Sequence, residues 1–313
     1  MEKNRCVVLG GTGFIGQHLV HALRAEGYPV TVISRRPATF TKHTDAELLQ
    51  IALDDTKSLA QTIKPGDFVF DLIASSVPYT SSIDPASEVI DHIYHHIKLF
   101  ELCATIGVAK LLFASSGGGV YGKQEVIPIP ETAPLHPVSP HAIAKATLEH
   151  YLAYFYRSGL LNSLIYRVSN PYGPGQKAKT GFGVIPTFIQ ALHKEDSAPV
   201  LVNKGKNVRD FIYIDDLIDA IMVSFSEENK HQVYNLGSAT GTSIRDVWQI
   251  VQETTGKELT AQTQPARPFD AETVILQMDR FQEEYNWRPK VSIHDGIRRT
   301  WEAYRQGREN QNQ

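Results

Sequence analysis

The sequence predicts an α/β protein, a doubly wound parallel sheet with a smaller C-terminal domain, and two observations predict it. A short apolar run, Cys6-Val7-Val8-Leu9, leads straight into the glycine run GGTGFIG at 10–16, and that into apolar residues at helical spacing from Gln17 to Arg24. The same alternation of buried strand and amphipathic helix then recurs as far as residue 168, as expected of a parallel sheet with right-handed crossovers.

Strand, glycine turn and helix together make the context of a dinucleotide site. Gly10 permits the tight turn, Gly13 lets backbone N–H groups approach a pyrophosphate, and Gly16 lets the helix pack close to the strand. The helix start, Phe14 and Ile15 with Gly16, offers free N–H donors and the positive end of the helix dipole. An ordinary strand-to-helix turn is the other reading of the same glycines.

A second strand runs from Pro29 to Ser34. At its end an NAD site usually carries an acidic residue for the ribose hydroxyls. Here stand Ser34, Arg35 and Arg36, which suit a 2′-phosphate and favour NADP(H) over NAD; two solvated loop charges are the alternative. Ile51 to Asp55 reads as a third strand, with Asp55 facing the adenine amino group or capping the helix that follows. Asp67 to Ala74 is a fourth strand, and Ala74 counts among the cofactor-binding residues because ligands sit beyond the carboxyl ends of such strands. Ser75 to Ser82 is a polar, proline-broken loop.

Ser87 to Thr105 reads as a long helix carrying His92, His95 and His96. Without a third ligand in view, they are expected on a solvated or subunit-contact face rather than around a metal. Lys110 to Ala114 is a fifth strand, running into Ser115 and Ser116, and His141 to Arg157 is a helix containing Lys145.

Bulk properties exclude other classes. Of 313 residues, 42% are hydrophobic and 21% charged, with a net charge of −3, so neither nucleic acid nor a membrane surface is an expected partner. Two cysteines, Cys6 and Cys103, make no disulfide framework and point to a reducing, cytoplasmic setting. The first strand begins too near Met1 for a signal peptide, and no apolar run approaches the ~20 residues needed to span a bilayer.

In order along the chain, GGTGFIG (10–16), SSGGGVYG (115–122), HAIAK (141–145), RVSNPYGPGQ (167–176), RDFIYIDDLIDAI (209–221) and RPFD (267–270) resemble the extended short-chain dehydrogenase/reductase family, and within it the nucleotide-sugar 4-epimerases and dehydratases. The resemblance covers nearly the whole chain and implies a Rossmann-type fold. In that family a Ser or Thr, a Tyr and a Lys four residues after the Tyr carry the chemistry. The lysine holds the nicotinamide ribose and lowers the tyrosine pKa, and the tyrosine moves the sugar hydroxyl proton. Lys145 matches. The tyrosine position is His141 and the Ser/Thr position is Gly117, with Ser116 and Ser115 adjacent to replace the hydroxyl. A neutral imidazole both takes and gives one proton, and the Lys145 ammonium one turn away favours that neutral form.

The resemblance further implies that Asn170, Arg209 and Arg267 hold a nucleotide-sugar diphosphate, where guanidinium groups bind phosphate in bidentate fashion. It also implies a homodimer built on helices 87–105 and 141–157. Asp215 and Asp216 read as charges at a helix N-terminus. The expected domains are 1–168, rejoined by 209–236, and 169–208 with 237–313. The expected activity is epimerisation by transient C4 oxidation. Reduction of a 4-keto sugar with NADPH is the alternative within the class, and a non-catalytic sensor of NADP(H) or a nucleotide sugar is the alternative outside it. A dehydratase fits less well, because Gly118 and Gly119 stand where acidic residues are usual.

Overall fold

The computed structural model describes residues 3–35, 46–74, 76, 81–178, 183–194, 198–266 and 270–309. Arg36, Arg267 and most of the 75–82 loop lie outside the described residues. Chain contacts divide the protein into two compact units. One comprises Met1–Ser116, Ser139–Arg167 and Ile218–Tyr234; the other comprises Gly117–Val138, Val168–Leu217 and Asn235–Gln313.

The first unit opens with β1 (Cys6–Leu9), α1 (Phe14–Ala25), β2 (Val30–Ser34), β3 (Glu47–Gln50), α2 (Thr56–Thr62) and β4 (Phe68–Asp71). A π-helical segment, Glu88–Tyr94, runs straight into α3 (His95–Ile106). Then come β5 (Lys110–Ser116), α4 (Pro140–Arg157) and β6 (Ser163–Val168). The second half of the chain supplies β7 (Asn170–Tyr172), α5 (Val184–Lys194), β8 (Val200–Val202), β9 (Val208–Tyr213), α6 (Ile214–Ser224) and β10 (Val233–Leu236). It continues through β11 (Gly241–Ser243), α7 (Ile244–Thr255), β12 (Gln262–Gln264), β13 (Thr273–Val274), α8 (Asp279–Tyr285) and α9 (Ile293–Glu309).

Seven strands form a parallel sheet in the order β10-β6-β5-β4-β1-β2-β3. The order reverses between β1 and β4, whose residues pair Cys6 with Phe68 through Leu9 with Asp71. A reversal of this kind opens a crevice at the carboxyl ends of the strands. Burial on both faces makes β1 a continuous apolar run and β2 apolar but for Thr31 and Ser34, and Leu99, Phe100 and Cys103 of α3 and Leu148, Leu152 and Phe155 of α4 pack in one core with Leu9, Val69, Leu111 and Phe113. Both cysteines are buried free thiols.

The expected third strand is displaced: β3 ends at Gln50 and Ile51–Asp55 is a turn that Asp55 closes as the cap of α2, accepting from Ser58 N at 3.0 Å. As the sheet's edge, β3 has no fully buried residue, so hydrophobic pattern did not mark it. Strand β9 was expected to return to the main sheet; it lies instead in the second unit's four-stranded sheet, between β11 and β13 with β7 alongside, and within 209–236 only β10 joins the main sheet. The cap of α7 by Ser243 is as expected, with the hydroxyl accepting from Asp246 N. Among the described residues no helix is long and apolar enough to cross a membrane.

At Gly10 the chain turns with φ +77°, and a side chain at Gly16 would place its Cβ 2.4 Å from Gly10 O and 2.6 Å from Gly11 Cα. The start of α1 therefore lies against the backbone of the turn with no room for a methyl group. Gly16→Ala is expected to lower the unfolding free energy by about 1–3 kcal/mol in a denaturant titration, because the obstacle is backbone and cannot rotate away.

Candidate active site

The cofactor side is built on the glycine turn. No side chain caps α1 and no acidic residue lies in its first turn, so the N–H groups of Phe14, Ile15 and Gly16 remain for an anion. A Cβ on Gly10 would meet Leu72 and Ile73 at 3.1–3.3 Å, which seats the turn against the chain leaving β4. Thr12 Oγ1 lies 2.6 Å from Ser34 Oγ, tying the turn to the end of β2, and Arg35 is exposed beside it. A turn this bare, with an uncapped helix start, fits a dinucleotide pyrophosphate. Ala74 is exposed past the end of β4, and Asp55 is engaged as a helix cap.

Ser139 caps α4 and Pro140 begins it, which places His141 and Lys145 one turn apart on its buried side. Lys145 Nζ donates to Ile73 O at 3.2 Å and Ala114 O at 2.8 Å and lies 4.4 Å from the centre of the Phe113 ring. Burial pushes this ammonium down to about 8, against the opposing charges of Asp71, Glu149 and Glu88. His141 is held at three points. Its backbone N donates to Ser81 Oγ at 3.2 Å, Nδ1 lies 3.1 Å from the half-buried Ser76 Oγ, and the ring stacks on His92 with centroids 6.4 Å apart. Burial first and the Lys145 charge second push His141 down to about 4. At neutral pH this is a neutral imidazole beside a cation.

Of the hydroxyls near the glycine stretch, Ser115 is committed elsewhere. It donates to Glu149, whose carboxylate also pairs with Arg167 at 2.7 Å inside the core. Ser116, half-buried at the end of β5, makes no side-chain hydrogen bond among the described residues, and Gly117 N donates to Val168 O at 2.8 Å.

The expected solvated histidine face is corrected by the structure. His92 and His96 are buried, their rings 4.2 Å apart, and His96 Nδ1 donates to His92 O at 2.7 Å. The π-helical turn carries Glu88 and His92 inward together, and Asp71 at the end of β4 faces His96. Among the described residues no group of side chains could hold a metal ion. The buried positions Asp71, Glu88, His92 and His96 were missed from sequence. The available signal was Asp71, a carboxylate inside the apolar strand Phe-Val-Phe-Asp, which demands an internal partner.

In the second unit, Asn170 Nδ2 donates to Asp210 O at 2.8 Å, and a Cβ on Gly118 would lie 3.8 Å from Asn170 Oδ1. Arg209, half-buried, donates to Val208 O at 2.8 Å and to Glu272 O at 3.3 Å. Asp210 is structural: its buried carboxylate accepts from Ser238 N, Ser238 Oγ, Ala239 N and Leu276 N. Asp216 likewise accepts from Lys290 N and Val291 N.

A model of the NAD dependent epimerase/dehydratase family matches residues 6–237. The chain belongs to that family. Among solved structures of similar fold, the UDP-glucose 4-epimerase of Thermotoga maritima, solved with UDP-glucose, is 30% identical with a TM-score of 0.90, covering 97% of this chain and 99% of that one. The Thermus thermophilus UDP-glucose 4-epimerase, solved with NAD, is 31% identical with a TM-score of 0.87, covering 96% and 99%. The Escherichia coli dTDP-4-dehydro-6-deoxyglucose reductase is 28% identical over 95% of this chain and 96% of its own. The family's expected fold is thus present.

A depressed imidazole has a thermodynamic signature. The unfolded chain binds the His141 proton near pH 6.5 and the folded chain only near about 4, so this contribution is complete above 6.5 and is lost as pH falls toward 4. The loss from His141 amounts to roughly 3 kcal/mol. Denaturant titrations across that range should show the decline, and His141→Phe should flatten part of it.

Proposed function

We propose that the protein is an NAD(P)-dependent nucleotide-sugar 4-epimerase in which His141 replaces the family's tyrosine. The observation that carries this reading is the pair on α4: a neutral buried imidazole one turn before a lysine whose ammonium rests on Ile73 O and Ala114 O. The near full-length similarity to two UDP-glucose 4-epimerases supports it. The chemistry that the dinucleotide supplies when bound is reversible hydride acceptance at the sugar C4. Lys145 holds the nicotinamide ribose. His141 takes the C4 hydroxyl proton as the ketone forms and returns it as the alcohol is restored, with Ser76 orienting its ring and Ser116 offering a hydroxyl to the sugar oxygen. Asn170, Arg209 and Arg267 hold the diphosphate.

For the 2′-phosphate of the cofactor, Ser34, Arg35 and Arg36 in place of an acidic residue favour NADP, whereas the Thermus relative was solved with NAD. A second reading, reduction of a nucleotide 4-keto sugar, is supported by the same arginines and by the similarity to the Escherichia coli reductase, since such a reaction consumes external NADPH.

UDP-glucose incubated with the protein and either NAD or NADP, followed by NMR, should yield UDP-galactose at unchanged mass. A gain of two mass units from a 4-keto sugar with NADPH would instead establish the reductase. His141→Phe should lower kcat by about 10²–10⁴-fold. Arg35→Ala should weaken NADP binding roughly tenfold while sparing NAD. Full turnover by His141→Phe would remove the histidine from the chemistry, and cofactor binding without turnover of any nucleotide sugar would point to a sensor.

The partner expected for this chain is a second copy of itself. Val89, Ile90 and Tyr94 of the π-helical segment and Ile143, Tyr151 and Tyr154 of α4 are all exposed, an apolar strip carried by two adjacent helices. Light scattering should give about twice the chain mass of 34.9 kDa, and Tyr154→Glu with Ile143→Glu should return the monomer.

A further inference from the structure

Asp71 and His96 form a buried pair that the reaction outlined above does not use. Asp71 ends β4, His96 lies in the first turn of α3, and both side chains are wholly shielded from solvent. His96 Nε2 is 3.4 Å from Asp71 Oδ2, and among the described residues neither atom has a hydrogen-bond partner. The other ring nitrogen, Nδ1, is 2.7 Å from His92 O. A carbonyl oxygen only accepts, so Nδ1 carries a hydrogen. With a single ring proton, Nε2 would turn a bare lone pair toward a carboxylate oxygen in a site without solvent. A second proton therefore belongs between the two atoms. The remaining Asp71 oxygen, Oδ1, accepts from Ile73 N at 3.2 Å, a bond that is stronger to a charged carboxylate than to a neutral acid.

Ile73 joins this pair to the α4 site. Its N–H donates to Asp71 and its carbonyl accepts from Lys145 at 3.2 Å. The residue is thus hooked on one side by the carboxylate and on the other by the ammonium. Around Lys145 stand Asp71 from β4, Glu88 and His92 from the π-helical segment, His141 and Glu149 from its own helix and the Phe113 ring from β5.

We propose that His96 carries a proton on both ring nitrogens and that the Asp71–His96 ion pair is a positioning group for Lys145. Through Ile73 it fixes the strand end on which the ammonium rests, and with its carboxylate it keeps that ammonium charged. The value of this to catalysis rests on the reading of Lys145 as the lysine of the nicotinamide ribose.

Imidazole ¹⁵N NMR of the whole, unmodified chain at about pH 7.5, where an unpaired imidazole is mostly neutral, reads the first half. His96 should show two protonated nitrogens. A single proton on Nδ1 would overturn the proposal. The second half is read by ¹³C NMR of lysine Cε across a pH titration, with Lys145 assigned by its loss in Lys145→Met. In Asp71→Asn the Lys145 midpoint should fall, by less than the loss of an isolated carboxylate would give, because His96 should lose its Nε2 proton at the same time. An unchanged midpoint would overturn the coupling to Lys145. The wild-type spectrum decides the ion pair even if Asp71→Asn fails to fold. Neither readout needs turnover, so a chain inactive on every nucleotide sugar would end the epimerase reading and leave the pair standing, and the converse also holds.

Discussion

The burial of one ammonium, that of Lys145, constrains everything around it. Taking such a group out of water costs several kcal/mol unless its protons and its charge are both met. Two of its protons go to Ile73 O and Ala114 O, and the charge faces the Phe113 ring. Ile73 lies past the end of β4, where the ladder has stopped and the backbone can turn toward a side chain. The same stretch, Leu72 and Ile73, lies against Gly10 of the glycine turn. The seat of the lysine and the glycine turn are therefore two sides of one short segment, at the point where the strand order reverses.

Much of this was legible in the sequence, and what was not has a common cause. The glycine turn, the apolar strands β1, β2, β4, β5 and β6, the helix bearing His141 and Lys145 and the Ser243 cap all declare themselves locally, through period, propensity and capping chemistry. The edge strand β3 was misplaced because it has no fully buried residue to reveal it. Strand β9 reads locally as a strand, but which sheet takes it is decided by partners about 30 to 65 residues further on. The histidines were misjudged for a related reason. Helical spacing puts His92 and His96 on one face, but whether that face is wet depends on Asp71 across the sheet interface and on the π-helical turn that rotates Glu88 and His92 inward. Lys145 was found by motif, yet its carboxylate neighbours were not, because charge balance in a core is a three-dimensional sum.

In the proposed reaction, a histidine in the place of a tyrosine changes the electrostatics of the step, not merely the reach of the side chain. A phenol that gives up its proton becomes an anion beside the lysine, so the ammonium assists. An imidazole that accepts a proton becomes a cation beside the same lysine, so the ammonium opposes it, and His141 is pushed down to about 4. The lysine that sharpens a tyrosine blunts a histidine as a base. The same repulsion makes a protonated His141 a strong acid, ready to give its proton to a developing alkoxide. In the proposed cycle the arrangement thus favours the half in which the ketone returns to the alcohol.

The negative charge stored nearby works against the effect of burial on the ammonium. Glu149 is engaged by Arg167 and Ser115 yet still bears on Lys145, as do Asp71 and Glu88. Asp71 and Glu88 are buried as well, where a charge acts over several ångströms with little screening. With His96 doubly protonated, part of the Asp71 field is already used, and Glu88, whose Oε2 has no hydrogen-bond partner among the described residues, is left to bear on the Lys145 ammonium. The π-helical turn that brings Glu88 inward thus adds to the negative charge that holds the Lys145 ammonium beside His141.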